Sequence, residues 1–227
     1  MTILVVGDVM IDTYWRGAVE RLSPEAPVPV VKMEHEEHRA GAAANVAANC
    51  AALGVPTTLI GIVGRDESAE TLYDLSIRAG VNTVLLPDRM IRTTQKLRII
   101  GRGQQIARVD FEMQPVETVD LVFSRYVENH DTIVFSDYGK GALPGISDMI
   151  GTAKEMRKTV LVDPKGHDYA KYAGADVLKL NRDELREMVG GWGTKEQRAA
   201  KAEAIRREGR FGAILVTLAA EGMVIYD

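Results

Sequence analysis

The chain has 227 residues, 46% of them apolar, which suits the core of one α/β domain of ordinary size. A formal net charge of −4 argues against a nucleic-acid binder held by bulk charge, and no run approaches the ~18 apolar residues of a membrane span. Cys50 is alone, which excludes an intrachain disulfide, and a strand begins at the start of the chain where a secretory signal would lie, so the expected compartment is the cytoplasm.

Taken in chain order, short apolar runs predict strands over residues 3–6, 57–62, 83–86, 132–135, 159–162, 176–179, 213–217 and 223–226. Amphipathic segments near 42–53, 67–79, 118–129, 145–156, 182–189 and 195–208 predict the helices between them. Such alternation is the mark of βαβ units and a mainly parallel sheet. Two segments interrupt it. Residues 13–33 are rich in Pro and Val, and 93–111 alternate polar and apolar residues around Gly101-Arg102-Gly103. Both read as antiparallel β structure outside the main sheet. A small β lid over the carboxyl end of that sheet explains both, and two ordinary surface hairpins explain them equally well.

The first run ends in Gly7-Asp8, with Asp12 shortly after. Ligands of open α/β sheets sit beyond the carboxyl ends of the strands, so carboxylates there can grip hydroxyls. Gly41 to Asn45 bring small residues into a helix start, where free amides favour oxygen-rich groups. Gly41 and Asn45 are therefore candidate ligand contacts, whereas Asn49 reads as packing. Lys96 and Arg98 alternate on one strand face, about 6.6 Å apart, a spacing that can clamp a phosphate with Arg108 joining from the paired strand. A solvated strand face is the plainer reading of the same charges.

Asp137 with Lys140, and Asp163 with Lys165, each follow a strand directly. The lysines suit phosphate charge and the aspartates a magnesium shell or an orienting role; capped turns are the alternative. Asn181 with Glu184 fits a helix capping box, or a magnesium–phosphate relay through water. His35 and His38 lie among Glu34, Glu36 and Glu37 and read as a charged turn more than as a metal site. There is no P-loop, and no G-x-G-x-x-G follows the first strand.

These residues together resemble the ribokinase-like (phosphofructokinase B) family of sugar kinases over the whole chain, most closely its heptose-7-phosphate kinase branch. The narrow likeness rests on Gly7-Asp8-Val9-Met10, Asp12 to Gly17, Ser23 to Val30, Lys96-Leu97-Arg98, Gln104-Gln105, Arg108, Asp110-Phe111-Glu112, Ser136-Asp137-Tyr138, Lys140-Gly141 and Asp163 to Gly166. The resemblance implies a three-layer α/β/α sandwich with a mainly parallel central sheet and a small β lid that also makes a homodimer contact. It implies ATP- and Mg2+-dependent phosphorylation of the anomeric hydroxyl of D-glycero-β-D-manno-heptose 7-phosphate, within lipopolysaccharide core synthesis. Asp12, Gly41 and Asn45 would hold sugar hydroxyls. Asn181 and Glu184 match an N-x-x-E motif that organises magnesium and phosphates, with Glu184 acting through water. Asp137, Lys140, Asp163 and Lys165 would face the nucleotide phosphates, and Thr217 and Gly222 the adenosine.

Two departures stand out. Ala219-Ala220 replace the usual Gly or Ser and then Glu after Thr217, and no Gly-Ala-Gly-Asp occurs among the 227 residues. That motif carries the family's anion hole and general base, so a single ribokinase-like domain that is incomplete at its carboxyl end is expected. A kinase for another sugar phosphate, or a non-catalytic sugar-phosphate-binding module, are the alternatives.

Overall fold

The computed structural model describes residues 1–227. Its first strand, β1 (Ile3–Gly7), is buried along its whole length. Leu4 and Val6 enter one apolar cluster and Ile3 and Val5 another, so the sheet is covered on both faces, as a near-continuous apolar run requires. The chain then departs into two long strands, β2 (Val9–Leu22) and β3 (Pro29–Ala42), before α1 (Ala43–Ala52), β4 (Thr57–Val63), α2 (Glu67–Arg78) and β5 (Asn82–Pro87). A second hairpin follows, β6 (Gln95–Gly101) and β7 (Gln104–Phe111). The remaining elements are α3 (Asp120–Tyr126), β8 (Thr132–Ser136), α4 (Ile146–Glu155), β9 (Thr159–Asp163), β10 (Val177–Asn181), α5 (Arg182–Val189), α6 (Lys195–Glu208), β11 (Ala213–Thr217) and β12 (Met223–Tyr226).

Eight strands form the main sheet in the order β12-β11-β10-β9-β8-β1-β4-β5, parallel except for β12. The chain winds outward from β1 through β4 and β5, then returns to β8 on the other side of β1. The strand order therefore reverses between β1 and β8, and a crevice opens there at the carboxyl ends. A separate four-stranded sheet, β3-β2-β6-β7, carries the two hairpins.

The small sheet differs from expectation in three ways. It is mixed, because β2 and β6 run parallel where the hairpins meet. The Pro-rich run supplies the turn as well as strand: Ser23 N–H bonds the Val28 carbonyl at 2.8 Å, and β3 starts only at Pro29. Residues 34–38, read as a charged turn, lie in the middle of β3. Their charges hid a two-residue period that cross-strand partners reveal: Trp15 Nε1 donates to Glu36 at 2.8 Å, and His38 Nδ1 meets Thr13 Oγ1 at 3.0 Å. The helix expected over 118–129 is shorter, as Val127–Asn129 tighten into a 3-10 turn.

Asp8 fixes the switch point. Gly7 lets β1 approach β8 so closely that a Cβ would lie 2.1 Å from the Ser136 carbonyl oxygen. The Asp8 amide donates to that same carbonyl, and its own carbonyl accepts from Ala43 N–H at the start of α1. Its carboxylate accepts from the Tyr138, Lys140 and Ala142 amides at 2.7, 3.0 and 3.0 Å. Burial pushes the carboxyl above its ordinary range, and the three amides offset that only in part.

Two consequences are measurable. Asp8→Asn replaces one acceptor oxygen by an amine facing a backbone N–H, so urea unfolding is expected to show a loss of about 2–3 kcal/mol; a loss under half a kilocalorie would remove Asp8 from this role. Ala42, at φ 50 and ψ −128, occupies a region that favours glycine. Ala42→Gly relieves that strain at some cost in unfolded-chain entropy, and a net gain of about 1 kcal/mol is expected, read as a rise in Tm; a fall in Tm would refute the strain.

Candidate functional site

Two clefts open near the carboxyl ends of the main sheet's strands. The first, of about 400 Å³, lies between the small sheet and the start of α1. Asp12 and Tyr14 from β2, Arg39 and Gly41 from β3, Asn45 from α1 and Lys96 and Arg98 from β6 all line it, with Ala42 and Tyr138. The register explains this gathering: Asp12 stands directly across from both Arg39 and Lys96, and Tyr14 across from Arg98. Gly41 lacks a side chain for a stated reason, since a Cβ there would lie 2.7 Å from the Asp12 carboxylate. Arg98 donates to Asp12 at 2.6 Å. Burial opposes the charge on Arg98, and the Asp12 carboxylate outweighs it and raises the guanidinium's pKa. Lys96 shares the cleft without an ion-pair partner.

The second cleft, of about 630 Å³, is lined by Asn181, Arg182, Asp183, Arg186, Thr217, Ala219, Gly222 and Met223. Asn181 Oδ1 accepts from the Asp183 and Glu184 amides, and Glu184 Oε2 accepts from Asn181 N–H at 2.7 Å, so the expected capping box is present. Arg182 reaches Glu221 and the Leu218 carbonyl across the mouth. Ala219 and Ala220, the first departure, form a short 3-10 turn that leaves Thr217 and Gly222 on the cleft wall.

Between the clefts, Lys179 from β10 donates to Asp163 from β9 at 3.0 Å. Burial works against the Lys179 charge, but Asp163 prevails and raises its pKa. Tyr138 lies beside this pair while lining the first cleft, and burial, with Asp163 near, pushes its hydroxyl upward.

The structure therefore brings together Asp12, Gly41, Asn45, Lys96 and Arg98 in one cleft and Asn181, Thr217 and Gly222 in the other. Six expected residues line neither cleft, Asp163 and Glu184 among them. Arg108 is opposite Arg98 in register but donates to Asp110 at 2.8 Å and stays outside the cleft. Asp137 is buried and its acceptors are taken by Gly139 N–H, the Tyr172 hydroxyl and Lys171. Lys140 reaches back to Glu112 at 2.6 Å. Lys165 lines neither cleft; its amide donates to the Tyr172 hydroxyl. Sequence reading also passed over Tyr14, Arg39 and Lys179. Tyr14 and Arg39 lie two residues from Asp12 and Gly41, so strand periodicity alone could have found them.

A larger cavity, of about 870 Å³, opens beside α2 and β5. Asp66, Glu67, Glu70 and Asp74 line it against the single cation Arg65, so its net charge disfavours anionic ligands, and Asp66 is engaged by Thr93 and Ala69. No helix is long and apolar enough to cross a membrane.

Known proteins resemble this chain over nearly its whole length. A heptose kinase of Bordetella bronchiseptica, "D-beta-D-heptose 7-phosphate kinase", is 45% identical over 99% of this chain and 73% of its own length. The "Bifunctional protein HldE" of Chromohalobacter salexigens is 44% identical over 98% of this chain and 48% of its own, so the chain spans about half of that relative. Among solved structures, Arabidopsis thaliana ribokinase complexed with ribose and ATP superposes with a TM-score of 0.77 at 18% identity, over 99% of this chain and 74% of that one. Phosphofructokinase-2 from Escherichia coli in complex with fructose-6-phosphate gives 0.77 at 19%, over 100% and 76%. These likenesses establish the fold as ribokinase-like. The family model for the pfkB carbohydrate kinases matches residues 2–227, and the chain belongs to that family.

Proposed function

We propose that the protein carrying this chain transfers the γ-phosphoryl group of ATP to the anomeric hydroxyl of D-glycero-β-D-manno-heptose 7-phosphate. One observation carries the reading. A cleft that combines a carboxylate, Asp12, with two cations, Lys96 and Arg98, opens in the same fold as a second cleft at the ends of β10 and β11. The names of the relatives support the same substrate.

In this reading the sugar hydroxyls bond Asp12 and Asn45, with Gly41 leaving room for the ring, and the 7-phosphate meets Lys96 and Arg98. ATP occupies the second cleft, its adenosine against Thr217 and Gly222. Lys179 sits between the two, where charge on the moving phosphoryl group has to be neutralised, and Asp163 holds its ammonium in place. Positioning and charge neutralisation supply most of the catalysis in such a transfer. Mg2+ keeps waters and binds mainly to substrate phosphates, and Glu184 would reach it through water. Bound magnesium neutralises phosphate charge. No general base is assigned among these residues, because the nearby carboxylates are engaged: Asp12 by Arg98, Asp163 by Lys179 and Glu184 by the Asn181 amide. The small sheet serves as a lid over the acceptor, and its exposed apolar side chains Leu22, Met33, Ile106 and Val109 support a homodimer contact there.

The test is ADP release by the full-length gene product with ATP and magnesium. Heptose 7-phosphate is expected to exceed unphosphorylated heptose in kcat/KM by about 10–100-fold, the worth of charge-assisted phosphate contacts. Equal turnover of the two sugars, or none of either, would overturn the reading.

A further inference from the structure

One tyrosine ring in the acceptor cleft is surrounded by three guanidinium groups. Asp12, Tyr14 and Arg16 share a face of β2 because side chains alternate along a strand. The Arg39, Arg98 and Arg16 guanidinium carbons lie 4.9, 5.2 and 5.6 Å from the Tyr14 ring centroid. Like charges at this spacing repel, so the cluster needs anions. Two carboxylates supply them. Asp12 holds Arg98 at 2.6 Å, and Glu37, directly across from Tyr14, accepts from Arg39 at 2.6 Å and lies 3.9 Å from Arg16. Arg39 holds the Glu37 carboxyl below its usual range. The two carboxylates differ in use. Asp12 stands beside Gly41, deep enough for a sugar hydroxyl, whereas Glu37 touches only the arginines.

We infer that Tyr14 is a positioning residue that holds Arg39 and Arg98 by its ring face around the substrate's phosphate, and that Glu37 competes with that phosphate for Arg39. The inference rests on the sugar-phosphate reading above and names two further determinants of its specificity. The chemistry is direct. A phosphate offers guanidinium the same planar oxygen pair as a carboxylate, with up to twice the charge. A ring face holds a cation by its quadrupole and needs no hydroxyl, and no hydrogen bond of the Tyr14 hydroxyl links it to the arginines. Arg39 and Lys96 flank Asp12 on either side in register, so a phosphate seated there meets cations from two strands, β3 and β6.

Calorimetric titration of the full-length protein with inorganic phosphate, heptose 7-phosphate and unphosphorylated heptose tests this apart from turnover. Glu37→Gln is expected to tighten both phosphate-bearing probes by about 3–10-fold, and Tyr14→Leu to weaken them by about tenfold, with less than about twofold effect on unphosphorylated heptose. Tyr14→Phe is expected to restore most of the lost affinity. Under turnover the same changes should appear in KM for the sugar phosphate and not in KM for ATP. Glu37→Gln that leaves phosphate binding unchanged or weaker would overturn the inference, as would Tyr14→Phe being as harmful as Tyr14→Leu. Phosphate binding that follows the expected pattern without any sugar phosphorylation would retain the cage and sink the kinase reading alone.

Discussion

Asp8 joins three parts of the chain that have to meet at one point. Its amide ties β1 to the end of β8, its carbonyl anchors the start of α1, and its carboxylate gathers the loop from Tyr138 to Ala142. Two of those parts carry a residue into the first cleft, Asn45 on α1 and Tyr138 on the loop, and the small sheet reaches it through β2, which leaves β1 directly after Asp8. The carboxylate is buried at a cost, as its raised pKa records. A fold that accepts this cost at the switch point gains a rigid floor for the site, and the strand reversal there explains why both clefts open on one side of the main sheet.

Electrostatics then divides the labour. The main sheet's carboxyl end carries single, tightly matched pairs, Asp163 with Lys179 and Asp137 with Lys171. The small sheet carries a lattice instead, in which cations and carboxylates alternate across β3, β2 and β6 and Lys96 remains unmatched. Matched pairs hold backbone in place. A lattice with cations in excess is poised to accept an anion, because an entering phosphate can exchange with a carboxylate already present and little surrounding structure has to move.

The main sheet was legible because buried parallel strands read as short apolar runs, and every one of the eight was found within one or two residues. The capping box at Asn181 and Glu184 was equally plain, as its two residues lie three apart. What the sequence hid was long-range. Residues 34–38 of β3 read as a charged turn because an exposed strand in a small sheet need not alternate apolar and polar residues; their partners Trp15 and Thr13 lie more than twenty residues away. Asp137 and Lys140 directly follow a strand, the position that suggests a nucleotide, yet Tyr172 and Glu112, distant in sequence, engage them. Arg108 stands opposite Arg98 in register, as expected, and Asp110 two residues on engages it along the edge strand.

A crystal structure with D-glycero-β-D-manno-heptose 7-phosphate bound addresses the proposed division of the two clefts most directly. The sugar is expected to lie against Asp12 and Asn45 with its phosphate between Lys96 and Arg98. A phosphate seated instead beside Asn181, Thr217 and Gly222, or a sugar reversed so that its phosphate points toward Lys179, would contradict it.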